Sequence, residues 1–411
     1  MFNYLSIKSI TGTHLLFLLV SALFSSCSGD QNAKPKPTCT YQFEAIDSIN
    51  TIRQVENQHL AFPDIQLLPD GRIVMVYREG DIHVDKSGKI VMQISSDKGK
   101  TWSEPATVID DPESDDRDPS ISYGNDSLLR IVYFRYVRNI KTDLPKAISQ
   151  VYFATSDKSL VSFPNSIKTS TDSLTLESAF VKDSLYWCYP DSTPIKTRGV
   201  SSRAIEDNDH WIIPVYGGNP AVTDTTGKWI SPCSRISFIE GNEKKWTERY
   251  VNEKLLQKVW LQEPSVLKIT NSLWVMHIRT AKGNPFDNGM MAQSISNDGG
   301  ITWSAWFYLG FTGHSPFLFK CSNGLIVSAF RWLDKDFKNE STAFIWSADS
   351  CMNWSDVVQV EPAGSWDCAY PSIAETGKDT LLFVWYSENG TKLKARNYRI
   401  VRNITSPYFL P

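Results

Sequence analysis

The sequence predicts an all-β chain folded as a six-bladed β-propeller, and two repeating signals carry that prediction. The first is a hairpin written six times: 62–78 (FPDIQLLPDGRIVMVYR), 118–135 (DPSISYGNDSLLRIVYFR), 201–217 (SSRAIEDNDHWIIPVYG), 263–279 (EPSVLKITNSLWVMHIR), 315–331 (SPFLFKCSNGLIVSAFR) and 370–387 (YPSIAETGKDTLLFVWYS). Each copy has a short apolar strand, a turn of Gly, Asn, Asp, Ser or Lys, and a longer strand of β-branched and aromatic residues. The copies recur every ~50 to 80 residues, which leaves room for two more strands per unit, the signature of a propeller blade. The second signal, S-x-D-x-G-x-T-W, is complete at 95–102 and 296–303 and decayed at 347–354, out of phase with the hairpins. In such a turn the Asp takes backbone N–H groups, the Gly accepts a left-handed φ and the Trp packs between sheets.

In chain order, 1–26 reads as a signal peptide. Lys8 supplies a thin charged region and residues 15–24 an apolar stretch too short to span a membrane. Phe24-Ser-Ser-Cys27 resembles the lipobox of bacterial lipoproteins, which implies cleavage before Cys27 and a lipid on its sulfur. Residues 27–44, rich in Gly, Asn, Lys and Pro, form the expected lipidated tether, and 45–411 the propeller domain. The chain is therefore expected to be an exported lipoprotein of the outer membrane, cell surface or periplasm, touching membrane only through that anchor. Within the propeller, 396–403 supplies a late strand and 40–46 closes the ring, which removes unpaired sheet edges.

Composition narrows the function. Net charge is −3, from 42 basic and 45 acidic residues with no basic block, so nucleic acid is excluded as a partner. The six cysteines after Cys27 show no CxxC spacing, so no zinc site and no cofactor are expected; the residues leave a loop-carboxylate Ca2+ open. An exported compartment permits disulfides.

In a propeller the first strand of each blade lines the channel and the second returns to the same mouth. Side chains at the start of strand one and the end of strand two should therefore meet there. The starts are Ala61-Phe62, Asp118, Ser201-Ser202, Glu263, His314-Ser315 and Tyr370. The ends are Arg78-Glu79, Arg135, Gly217, Arg279, Arg331 and Tyr386-Ser387. Pairing across the turns sets Arg279 opposite Glu263 and Arg135 opposite Asp118. A ring of arginines, whose planar forks match carboxylates, suits an anionic sugar.

This layout, with the S-x-D-x-G-x-T-W turns as Asp boxes, resembles the sialidase superfamily over nearly the whole chain after the tether. The resemblance implies a terminal acidic sugar, sialic acid or a related ulosonic or uronic acid, removed from a glycan with retention by an exo-acting hydrolase. It implies Tyr370 (AYPSI) as nucleophile and Glu263 (QEPSV) as its base, the phenol needing one because its pKa is ordinarily ~10. Arg279 and Arg331 match two of the family's three carboxylate-binding arginines. The third, from an Arg-aliphatic-Pro start of the first blade, is replaced by Ala61-Phe62-Pro63, with Arg78 or Arg117 as substitutes. The family's acid lies on the loop after the first blade's second strand, which here offers Asp81, His83 and Asp85, the first two favoured. Asp115-Asp-Arg-Asp118 is a second acid-rich loop, for hydroxyl recognition or the acid itself. Asp64, Asp367, Trp366 and Trp332 are further rim candidates. The residues leave two rivals: a non-catalytic glycan-binding surface lipoprotein, and a propeller uronate lyase with Tyr370 and His83 as base and acid.

Overall fold

The structure is a computed structural model that describes residues 38–137, 148–169, 199–217, 235–242, 245–251, 259–282, 289–333 and 340–405. The expected signal peptide, the Cys27 lipidation position, Cys188 and Cys233 lie outside the described residues. Gln42–Val401 forms the main unit; of the second unit, Met1–Tyr41 with Arg402–Pro411, only strand ends are described.

Described residues form strands and turns, with no helix among them, and the six hairpin repeats become the inner strands of six antiparallel blades. The chain begins with β1 (Thr38–Ala45) and β2 (Asn50–Gln54), which belong to the last blade. Blade one is β3 (His59–Leu67), β4 (Ile73–Gly80), β5 (Lys89–Ser95) and β6 (Ala106–Ile109). Blade two is β7 (Asp115–Tyr123), β8 (Leu129–Val137), β9 (Ile148–Thr155) and β10 (Asn165–Lys168). Blade three is β11 (Ile205–Asp207), β12 (His210–Gly217), β13 (Arg235–Asn242) and β14 (Lys245–Tyr250). Blade four is β15 (Val259–Lys268), β16 (Trp274–Lys282), β17 (Met290–Ser296) and the first part of β18 (Phe307–Lys320). The rest of β18 opens blade five, followed by β19 (Ile326–Leu333), β20 (Glu340–Ser347) and β21 (Val358–Pro362). Blade six is β22 (Ala369–Gly377), β23 (Thr380–Ser387) and β24 (Lys392–Thr405), with β1 and β2 as its outer strand. The expected closure by 40–46 is thus present. The expected tether, 27–44, is shorter than read, because Thr38–Ala45 pairs with β24.

The inner strands are apolar on both faces because each blade is sandwiched between two others. Ile73 to Tyr77 of β4 are all fully buried. One face of blade one packs on blade six (Leu60, Ile65 and Tyr77 with Leu382 and Val384), the other on blade two (Val74 and Val76 with Ile121 and Tyr133). Each such side chain stabilises the fold by about 1.5–3 kcal/mol. Polar stitches repeat around the axis: Ser265 Oγ accepts Leu318 N–H at 2.9 Å and Ser372 Oγ accepts Ile65 N–H at 3.1 Å. Asp64 holds the same position in blade one, taking Ile121 N–H, the Ser372 hydroxyl and the Arg203 guanidinium. Its carboxylate acts as a clamp between blades, although the residue also lines a cavity at the channel mouth.

The three Ser-x-Asp turns have one geometry. Asp97 and Asp298 each accept the backbone N–H and hydroxyl of the Thr four residues on, and those bonds draw both carboxyls down to about 2. In the decayed copy Asn353 replaces that Thr and keeps both bonds to Asp349, at 2.9 and 2.7 Å. Cys321, Cys351 and Cys368 are buried free thiols.

Candidate active site

Five of the six inner strands carry, near the channel mouth, a residue followed by proline: Phe62, Asp118, Glu263, Ser315 and Tyr370. At each the ladder skips two residues, as between Gln262 and Ser265 or Ala369 and Ser372. Proline cannot donate to the ladder and bars its predecessor from the ordinary helical region. The predecessor takes a positive φ, between 43° at Tyr370 and 57° at Phe62, which L-residues resist by about 1–2 kcal/mol. Four of the five, Phe62, Asp118, Ser315 and Tyr370, line one cavity at the channel mouth with their prolines, and Glu263 reaches the same place through its bonds to Tyr370 and Ser315. Strain of this kind gathers at functional sites.

The bulge refines the hairpin reading. Arg279 pairs in register with Gln262, and Glu263 stands out of the ladder, yet Arg279 Nη1 still donates to Glu263 Oε1 at 2.8 Å. The Tyr370 hydroxyl donates to the same oxygen at 2.7 Å, while Ser315 gives its N–H and hydroxyl to Oε2 at 2.9 and 2.7 Å. Burial pushes the Glu263 carboxyl up, but Arg279 and Arg331, with the bonds from Tyr370 and Ser315, outweigh it and leave its pKa below the usual value. Burial, then Glu263 and Asp118, hold the Tyr370 phenol well above its ordinary range against the pull of Arg331 and Arg279. The pair is a carboxylate and a neutral phenol, the protonation needed for a nucleophile with its base.

Arg331 donates through Nη1 to the Trp366 carbonyl at 2.7 Å and through Nη2 to His314 Nδ1 at 2.8 Å, and its guanidinium lies 5.8 Å from the Tyr370 ring centre. Burial, then Arg279 and Arg331, hold His314 well below its ordinary pKa, so the ring is neutral between two cations. Arg117 stands 5.2 Å from the ring centre of Phe62, which meets Tyr370 edge-on at 4.7 Å. It donates to Asp115 Oδ2 at 2.9 Å and to the His83 carbonyl. Asp118, 4.0 Å from Arg117, is pushed up to about 7, chiefly by burial, with Arg117 opposing and Glu263 adding to the rise. Its Oδ1 has no hydrogen-bond partner among the described residues.

Three expected site residues are placed elsewhere. Arg78 is fully buried, held by Asp115 through Nε at 2.6 Å and Nη2 at 3.0 Å, and so does not substitute for the first-blade arginine. Arg135 pairs with Asp116 at 2.7 Å and Asp111 at 2.9 Å instead of Asp118, because the Asp118-Pro119 bulge and a turn one residue out of the expected register put Asp116 opposite it. Asp81 is exposed and faces a separate surface hollow with Glu79, Lys89 and Asp110. Its loop neighbour His83 turns inward: Nδ1 lies 3.0 Å from both Asp367 oxygens, and the ring centre is 5.9 Å from Phe62 and 5.3 Å from Trp366. Trp366, 61% exposed, is an open aromatic face beside it. Trp332 is a register partner of Gly313 in β18.

Tyr216 belongs to the site, one residue before Gly217, the strand end expected at this mouth. Burial raises its phenol well above the ordinary value, and Asp118, Glu263 and Tyr370 add to the rise. Gly199 was its signal: a Cβ there would sit 2.6 Å from the Tyr216 ring, so only glycine lets the phenol lie against that backbone.

No family model and no curated protein matches the chain. Solved structures do. A protein of unknown function from Dyadobacter fermentans aligns over 88% of this chain and 99% of its own at 17% identity and a TM-score of 0.67. Penicillium chrysogenum α-L-arabinanase aligns over 87% and 98% at 12% identity and 0.59, and Trypanosoma rangeli sialidase over 89% and 60% at 13% identity and 0.56. Identities this low speak for the fold, a propeller shared with glycosidases.

Proposed function

We propose that the chain is an exo-acting glycoside hydrolase that removes a terminal acidic sugar with retention of configuration. The observation that carries this reading is the 2.7 Å hydrogen bond from the Tyr370 phenol to Glu263, two residues 107 positions apart that meet at the channel mouth. In the first step Tyr370 Oη attacks the anomeric carbon and its proton passes to Glu263 Oε1. The glycosidic bond breaks, and the leaving oxygen takes a proton from His83. In the second step neutral His83 takes a proton from water, the water oxygen displaces Tyr370, and the phenolate recovers its proton from Glu263. Arg279 and Arg331 would hold the sugar carboxylate, and Trp366 would face the leaving group. A panel of chromogenic sialosides, uronides and arabinosides tests this: acidic sugars are expected to be released. Release of arabinose alone would remove the acid specificity, and no release from any would remove the hydrolase.

The pH profile tests the donor. Activity requires Glu263 ionised and His83 protonated. Burial, the first cause, and Arg117 and His59 depress His83 below the ordinary imidazole value of about 6.5 despite the Asp367 bond. kcat/KM is therefore expected to rise as pH passes the depressed Glu263 pKa and to fall again before pH 6.5, giving an acid optimum. A second donor is favoured by the raised Asp118, whose Oδ1 accepts no hydrogen bond among the described residues, and it would place the alkaline limb near 7. No alkaline limb would mean that the neutral imidazole acts as a base from the start, as in a lyase. Asp118→Asn separates the donors further: it keeps a neutral polar side chain, so a hydroxyl-binding role predicts a rise in KM, and a donor role predicts a fall of about 10²-fold in kcat.

A further inference from the structure

His59, His83 and Asp367 come from three distant parts of the chain, yet their donor atoms lie within 4.8 Å of one another. Two imidazoles and a carboxylate at that spacing suggest a zinc or iron site. The groups behind them argue otherwise. A metal-bound histidine carries its proton on the other nitrogen and donates it to an acceptor. Arg78 Nη1 lies 3.3 Å from His59 Nδ1, and a guanidinium offers donors only. Nδ1 of His59 must therefore be the bare nitrogen and Nε2 must carry the proton. Arg78 has no freedom to retreat, being fully buried and gripped at both Nε and Nη2 by Asp115.

The proton positions follow from one end of this chain to the other. His59 Nε2–H points at Asp367 Oδ2, 2.7 Å away. The Tyr386 hydroxyl donates to Asp367 Oδ1 at 2.7 Å. Asp367 is thus held as an acceptor from two sides, and it faces His83 Nδ1 with both oxygens at 3.0 Å. Only a proton on Nδ1 satisfies that contact. Nε2 of His83 has no hydrogen-bond partner among the described residues, and the side chain is 31% exposed beside Phe62 and Trp366. The groups facing His83 are Asp367, His59, the Arg117 guanidinium on its carbonyl, and the two aromatic rings.

We propose that Asp367 and His59 are positioning residues, set by Arg78, that fix His83 with its proton on Nδ1 and present Nε2 to the substrate as the acid–base atom of this mouth. The catalytic part of this rests on the hydrolase reading above; the tautomers do not. Asp367 acts through His83, as a buried carboxylate orients an imidazole elsewhere in acid–base catalysis.

The test uses the whole chain labelled with 15N-histidine, its six imidazoles assigned with His83→Gln and His59→Gln. In the unmutated protein the nitrogen shifts are expected to show His59 protonated at Nε2 and His83 at Nδ1. In Asp367→Asn the His83 ring loses its single tautomer and titrates lower. With a turned-over glycoside, kcat falls by about 10²-fold, KM changes little and the alkaline limb moves to lower pH. The proposal is overturned if His59 carries its proton on Nδ1, if His83 is unchanged in Asp367→Asn, or if one equivalent of Zn2+ shifts both rings. Should Asp367→Asn not fold, the tautomers of the unmutated protein decide. Should no glycoside be cleaved, the hydrolase reading fails and the nitrogen shifts still decide the positioning.

Discussion

Tyr370→Phe is expected to abolish hydrolysis, with kcat falling by about 10⁴-fold or more, while the acidic sugar is still bound. The change deletes one oxygen from a side chain whose ring is held by Phe62 and Tyr386 at 4.7 and 5.8 Å. Glu263 keeps Arg279 and both bonds from Ser315, so its carboxylate and the mouth's charge survive. A neutral phenylalanine can neither attack nor pass a proton. Calorimetry against a non-cleavable analogue of the released sugar checks binding, and a progress curve checks turnover. Unchanged turnover would remove Tyr370 from the chemistry; loss of binding with turnover would point to a collapsed site instead.

Asp115→Ala is expected to be the most destabilising single change in the first two blades. Its carboxylate is fully buried and serves Arg78 twice, Arg117 once and the Asp85 backbone N–H once. Removing it strands a fully buried guanidinium, and breaking a buried pair from one side costs about 3–5 kcal/mol. At roughly 2 °C per kcal/mol for a chain of this size, the melting temperature should fall by about 6–10 °C. Asp70→Ala is the control: its pair with Arg72 is exposed and should leave the melting temperature where it was. Equal effects from the two would show that the Asp115 cluster is solvated in solution.

What the sequence revealed and what it hid have physical reasons. The six hairpins were legible because turn chemistry and β-branched runs are local, and all six became inner strands. Glu263 and Tyr370 were legible because each opens such a strand next to a proline. The same prolines hid the register: a one-residue bulge put Gln262 instead of Glu263 opposite Arg279, and in blade two a bulge together with a turn one residue out of the expected register put Asp116 instead of Asp118 opposite Arg135. Burial of Arg78 was invisible, because Asp115 follows it by 37 residues in another blade. On the loop after β4, Asp81 and His83 are equally plausible from residue type. Their fates were decided by Asp367, 284 positions beyond His83, and by Arg117, which holds the His83 carbonyl. Tyr216 was one residue from the expected position, and its only local signal was a glycine 17 residues earlier.

The five residues ahead of prolines sit on main chain whose φ sign suits glycine and resists every other type. Exchanging any one for glycine would ease the backbone and empty the position, so scaffold and cargo are separately adjustable there. A fold built this way can change its guest by rewriting five letters at the rim, with the sheets beneath left as they are.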